Sequence, residues 1–214
     1  MTLIDRALDT LKATLVSLGR GLIRDLEMAT GAFQAADPDK AREVEATGEA
    51  FAGRYHIFEE DCFKTLALHQ PVARDLREVM GIYKTGQDME RIHSLIERIG
   101  KKTRKIENID SLVVPEELVG HLCQVTAMLV KGISIINGGP ENPEELVAME
   151  TTSSEFKRTV RRAVEIAIAD HPDRSRDYML LMGIGRHADR IARLVSSMIG
   201  DHQWQAGQIQ ENWS

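Results

Sequence analysis

The chain has 214 residues with 33 acidic against 27 basic side chains, a formal net charge of −6, which disfavours a duplex-binding protein with its basic surplus. Apolar residues at 43% are enough for a sizeable core, while aromatics at 5% and few β-branched runs disfavour a sheet protein. Met1 to Asp9 lacks a basic stretch leading into an apolar one, and no run reaches the ~18 consecutive apolar residues of a membrane span, so a cytoplasmic protein is expected.

The first predicted helix carries Ile4, Leu8, Leu11, Leu15, Leu18, Leu22, Leu26, Ala29 and Phe33, spaced alternately by four and three. At 1.5 Å per residue this is an apolar seam about 45 Å long. Asp37-Pro38 reads as a capping side chain with proline at the first helical position, opening a second helix through Val44, Phe51, Tyr55, Phe58, Cys62 and Leu66. Gln70-Pro71 predicts the start of a third, with Leu76, Val79, Met80, Tyr83, Ile92, Leu95, Ile96 and Ile99 on one face. Its last turn is the basic run Lys101-Lys102-Thr103-Arg104-Lys105, explained by the negative end of the helix dipole.

Val114-Pro115-Glu116-Glu117 starts a fourth helix along Leu118, Leu122, Val125, Leu129 and Ile133, and Asn137-Gly138-Gly139-Pro140 stops it. Asn142-Pro143-Glu144-Glu145 opens a fifth through Leu146, Met149, Phe156, Val160 and Ala167. His171-Pro172-Asp173 opens a sixth through Leu181, Ile184, Ala188, Ile191, Val195 and Met198. Each stripe must be covered by a neighbour, and short connections make neighbours antiparallel, so the expected class is an all-α bundle of six helices. Gly81, Gly86, Gly183 and Gly185 fall inside helical pattern and are expected at close helix contacts. Cys62 and Cys123 both fall in apolar registers and are expected as buried reduced thiols. The tail from Asp201 holds both tryptophans, Trp204 and Trp213, and reads as a polar tail or an anchor.

A shift of 99 residues aligns Met80 with Met179, Gly86 with Gly185, Glu90-Arg91-Ile92 with Asp189-Arg190-Ile191, and Leu95 with Leu194. Two three-helix units are therefore expected, residues 1–108 and 109–200, followed by a polar tail over 201–214.

Leu66-Ala67-Leu68-His69-Gln70-Pro71-Val72-Ala73-Arg74-Asp75-Leu76-Arg77, continued by Asp88-Met89-Glu90-Arg91-Ile92 and matched later by Arg186-His187-Ala188-Asp189-Arg190-Ile191-Ala192, resembles the signature of the PhoU family. The resemblance implies two tandem antiparallel three-helix bundles and a non-enzymatic cytoplasmic regulator of phosphate uptake and phosphate-starvation signalling. The implied partners are the ATPase subunit of the phosphate ABC transporter and a sensor histidine kinase, with a homodimer, no nucleic acid, and membrane association only through partners. Arg77, Asp88, Glu90, Arg91, Asp189, Arg190 and Arg193 are the candidate partner-binding residues, and no catalytic residue is expected.

The family's metal motif, Glu-x-x-x-Asp, is broken twice. Ser94 stands four residues after Glu90, and Arg193 four residues after Asp189. The family's acidic position in the second helix is Gly48, although Glu59 is retained. Two carboxylates four apart share a helix face and converge on a cation, and serine and arginine cannot replace the second one. No cofactor is therefore expected. The remaining metal reading, iron or zinc, rests on the Glu-x-x-His spacing of Glu90 and His93, and its ligands are Asp88, Glu90, His93 and Asp189. Without metal, Asp88, Glu90 and His93 are expected on a solvated or partner-facing acidic surface. The alternatives to the regulator are a metal-binding bundle for storage or sensing and an accessory protein of a different, low-affinity anion or phosphate permease.

Overall fold

In the computed structural model the described residues are 2–107, 109, 112–140 and 143–205, with the side chains of 143–147, 150 and 201–205 left out. Six long helices make up the fold, and no strand occurs among the described residues. They are α1 (Leu3–Gln34), α2 (Pro38–His69), α3 (Ala73–Lys105), α4 (Glu116–Ile136), α5 (Pro143–Asp170) and α6 (Ser175–Gln205), with a 3₁₀ turn at Pro172–Arg174.

Local chemistry explains most of the boundaries. Thr2 and Asp5 form a reciprocal capping box, Asp5 N–H donating to Thr2 Oγ1 at 3.2 Å and Thr2 N–H to the Asp5 carboxylate at 2.6 Å. Asp37 accepts from the amides of Asp39 and Lys40, both at 3.0 Å, and Pro38 occupies the first helical position, as the sequence predicts. Gly138, at φ +83°, follows the end of α4. The Asn142 cap lies outside the described residues, as does the tail beyond Gln205, and nothing is described of Trp204 beyond its helical backbone.

Three proline positions differ from expectation; one is Pro172, which opens the 3₁₀ turn, so that α6 itself begins at Ser175. Pro71 does not start α3, because Gln70 is left-handed (φ 43°), Val72 is extended, and the helix begins at Ala73, itself left-handed at φ 48°. Such backbone in residues other than glycine costs of order 1–3 kcal/mol each, so the α2–α3 turn carries strain. Pro115 is the N-cap of α4 and not its first helical residue.

Most of the predicted stripe residues form the core, whereas Leu76 is 40% exposed. Leu22, Leu26, Val44, Phe58, Val79, Ile92, Ile96, Leu118, Leu122, Val125, Leu181, Ile184, Ile191 and Val195 are fully buried. Each such side chain contributes roughly 1.5–3 kcal/mol by leaving water. α1, α2 and α3 pack together, as do α4, α5 and α6; α1 also meets α4, and the most extensive helix contact is α3 on α6. Gly86 of α3 lies directly under the Phe58 ring of α2, and Gly185 of α6 under Val160 and Leu118, so these helical glycines do serve close packing. α4 is apolar and long enough to cross a membrane by length and composition, but half of that stretch is buried among its neighbours. Its hydrophobicity reflects its place in the bundle, against α1, α5 and α6.

Cys62 is fully buried, as expected, and burial pushes its thiol up to about 12. Cys123 is exposed, against expectation. It lies one residue past Leu122, a rotation of about 100° that turns it off the buried stripe.

Candidate functional site

The α3–α6 contact opens along one side into a groove of about 610 Å³. Both broken motifs meet there, Glu90 and Ser94 from α3 and Asp189 and Arg193 from α6. The alignment of the two motifs across the repeat is thus realised as spatial opposition. The groove is dominated by cations: Arg91, Arg98, Lys157, Arg186, Arg190 and Arg193 face Glu90 and Asp189, a formal excess of four positive charges in a chain of net charge −6.

Asp189 is nearly buried and is already matched. Lys157 of α5 approaches its carboxylate at 3.0 Å and Arg193 at 2.9 Å. The expected Asp189–Arg193 pair forms, but it is joined by a lysine from another helix. Four residues after Asp189, Arg193 supplies a guanidinium that neutralises it. Arg91 reaches back to the buried Asp88 at 2.9 Å. Among the described residues Arg98, Arg186 and Arg190 make no ion pair.

At the end of the groove Lys102 lies across Gly183, where an added Cβ would approach its Cε and Nζ to 2.7 and 2.8 Å. Burial lowers its ammonium pKa, and Arg186, Lys105 and Arg98 lower it further. Neighbouring His187 is pushed down to about 4 by burial first and then by Lys102, Arg98 and Arg186. These groups form a cluster of like charge.

The four candidate metal ligands do not converge. Glu90 and Asp189 line the groove, whereas Asp88 is tied to Arg91, and His93 faces α1 and α2. Among the described residues no group of three or more His, Cys, Asp or Glu side chains is arranged to hold a metal ion. Asp88 and His93 are also not on a solvated surface. They are 5% and 3% exposed, because the helix turns both toward packed neighbours. His93 stacks on Phe51 with ring centres 4.3 Å apart, and its Nε2 lies 3.1 Å from Thr47 Oγ1 and 3.3 Å from the Asp25 carboxylate. Its Nδ1 is 3.9 Å from Glu97.

Of the candidate partner-binding residues, Glu90, Arg91, Asp189, Arg190 and Arg193 border the groove, and Asp88 supports Arg91 from behind. Arg77 is exposed near the start of α3, 13 positions and so about 20 Å along the helix from Glu90. It belongs instead with the α2–α3 turn, where Leu68, Val72 and Leu76 are 78%, 75% and 40% exposed.

Sequence reasoning missed Arg98, Lys102, Lys157, Arg186 and His187. A signal was present for three of them. Ser94, Arg98 and Lys102 recur at i, i+4 and i+8, and Arg186, Arg190 and Arg193 at i, i+4 and i+7, the spacing of one helix face. Lys157 had none, because it enters through the packing of α5. A second missed feature is His121 of α4, fully buried with its Nε2 3.0 Å from Ser153 Oγ and its ring stacked on Phe156. Burial pushes it down to about 4; Asp189 acts to raise it and Lys157 to lower it.

Comparison with known proteins agrees with this architecture. The PhoU domain family matches residues 15–103. A phosphate-specific transport system accessory protein PhoU homolog of Aquifex aeolicus is 24% identical over 187 residues, 86% of this chain and 84% of that protein. The corresponding homolog of Deinococcus radiodurans is 25% identical over 72% of this chain and 70% of its own length. The crystal structure of PhoU from Pseudomonas aeruginosa superposes with a TM-score of 0.87 at 18% identity, covering 96% of this chain and 99% of that one. The phosphate transport system regulatory protein PhoU from Streptococcus pneumoniae gives 0.85 at 17% identity over 96% and 98%. At those identities the two structures establish the shared fold. The chain is thus similar to the PhoU domain over residues 15–103 and to PhoU homologs along most of its length, and it shares the fold of PhoU proteins.

Proposed function

We propose that this chain is an accessory regulator of phosphate transport, working as a cytoplasmic adaptor and not as an enzyme. The carrying observation is the similarity to phosphate-specific transport system accessory proteins over 86% of the chain. On this reading it acts on the ATPase subunit of a phosphate ABC transporter and on a sensor histidine kinase. It damps both when phosphate is plentiful, as a homodimer of two-repeat protomers (1–108 and 109–200). Work is done by differential binding: the adaptor favours the conformation of each partner that it binds more tightly.

Two surfaces support an adaptor. Leu68, Val72 and Leu76 leave apolar side chains in solvent beside Arg77 at the strained α2–α3 turn, where the core gains nothing from them. Exposed apolar groups rimmed by charge are a common form of protein contact. The charged groove between α3 and α6 offers a second contact, through Glu90, Arg91, Arg190 and Arg193.

The test is alkaline-phosphatase activity in a deletion strain grown in excess phosphate. High activity, returned to low by the wild-type gene but not by a Leu68→Asp, Val72→Asp, Arg77→Glu variant of unchanged helicity, is the expected result. Low activity in the deletion strain would refute the reading.

A further inference from the structure

We propose that the groove between α3 and α6 binds a compact multivalent oxyanion of the phosphate class. The groove holds six cationic side chains against two carboxylates, and one of those, Asp189, is consumed by Lys157 and Arg193. Arg98 and Arg186 line it without a carboxylate partner among the described residues, and Lys102 stands one helical turn beyond Arg98, at the end of the groove.

Such an arrangement leaves exposed positive charge concentrated on one face, which an anion can neutralise. Guanidinium groups converging from two helices repel one another, and an anion that bridges them relieves that repulsion through charge-assisted hydrogen bonds. Lys102 lies against the same cluster, its ammonium weakened first by burial and then by Arg186, Lys105 and Arg98. In a chain with more acids than bases, ordinary surface pairing would have matched these arginines with carboxylates. Arg98, Arg186 and Arg190 instead have no ion-pair partner among the described residues and can donate in forks, the geometry that suits phosphate oxygens.

The shape selects among anions. About 610 Å³ lies within the range of small-molecule sites, and concavity disfavours a flat anionic bilayer. Hydroxyl and imidazole groups, Ser94 and His187, stand among the arginines as further hydrogen-bonding partners. His187 is held neutral there, leaving one ring nitrogen to donate and the other to accept. Arg193 supplies positive charge from the protein beside Asp189, and the complementary ligand is an anion.

The proposal stands without the adaptor reading, because it is tested on the purified chain. Calorimetric titration at low salt with orthophosphate, pyrophosphate and ATP is the experiment. One saturable site is expected, with pyrophosphate bound about tenfold or more tighter than orthophosphate and weakened by added salt. An Arg98→Ala, Arg186→Ala double variant should lose at least about tenfold in pyrophosphate affinity with unchanged circular dichroism, while Arg6→Ala, at the far end of α1, should lose none. Tighter binding of ATP than of pyrophosphate would assign the groove to a nucleotide's phosphate tail, and exclusion of ATP to an inorganic anion; either supports the site. Absence of saturable pyrophosphate binding at millimolar concentration, or equal binding by the double variant, would overturn it.

Discussion

Lowering the pH from 7 to 5 should destabilise this protein through His121, and the magnitude follows from its surroundings. The imidazole is fully buried, held against Ser153 and Phe156, and its folded pKa is about 4 against an unperturbed 6.5. A folded value below the unfolded one means that the unfolded chain binds more protons between those limits. Stability is therefore present above about 6.5 and is lost as pH falls toward about 4. Integrating the proton linkage from pH 7 to pH 5 gives about 2 kcal/mol for this residue alone. Asp189 works against the effect and Lys157 with it, and the carboxylate is already shared between Lys157 and Arg193. For a domain of this size, about 2 kcal/mol is a fall in Tm of roughly 4–8 °C. Urea unfolding of wild type and His121→Gln at both pH values isolates the contribution, since glutamine keeps a polar partner for Ser153 and does not titrate. The variant should lose about 2 kcal/mol less than wild type between pH 7 and 5. Equal losses in the two proteins would refute the argument and place the acid sensitivity elsewhere.

Thiol chemistry should separate the cysteines: in native protein a soluble thiol reagent should label the exposed Cys123 promptly, while the buried Cys62 reacts only after unfolding. Labelling of both at similar rates, read by mass spectrometry, would contradict the packing of α2. Gly86→Ala should lower stability by about 1–2 kcal/mol in thermal melts, because the displaced Phe58 ring outweighs the gain in helix propensity of about 1 kcal/mol. Asp189→Asn removes the carboxylate shared by Lys157 and Arg193. It should cost about 1–2 kcal/mol, a value discounted for the half-exposed cations, and should tighten pyrophosphate binding in the calorimeter. Unchanged stability together with weaker binding would reverse the role given to that residue.

The bundle was legible because each helix had to hide one side, and the spacing of Leu8 to Phe33 or Leu181 to Met198 states which side it is. Asp37-Pro38 was legible for a different reason, since a cap and a proline act within one turn of chain. Gln70-Pro71 failed because nothing local announces two left-handed residues around an extended valine; the path of the chain between α2 and α3 imposes them. The site divides along the same line. Pairing Asp189 with Arg193 needed only the i,i+4 rule. The approach of Lys157, or the meeting of His93 with Asp25 across 68 positions, depends on how whole helices dock. Asp88 was misread as solvated because a carboxylate in sequence carries no mark of the side on which its helix is covered.

Gly48 and Glu97 restrict each other's substitutions. The Glu97 carboxylate occupies the space that any side chain on Gly48 would enter, so a side chain regained at position 48 collides with it unless Glu97 swings away. Glu97 is therefore free to shorten while Gly48 stays, whereas Gly48 is free to grow only after Glu97 has moved. The side chain that position 48 accepts is thus coupled to the rotamer or the identity of residue 97. A library that randomises 48 and 97 together should recover acids at 48 chiefly in clones that have lost the glutamate at 97.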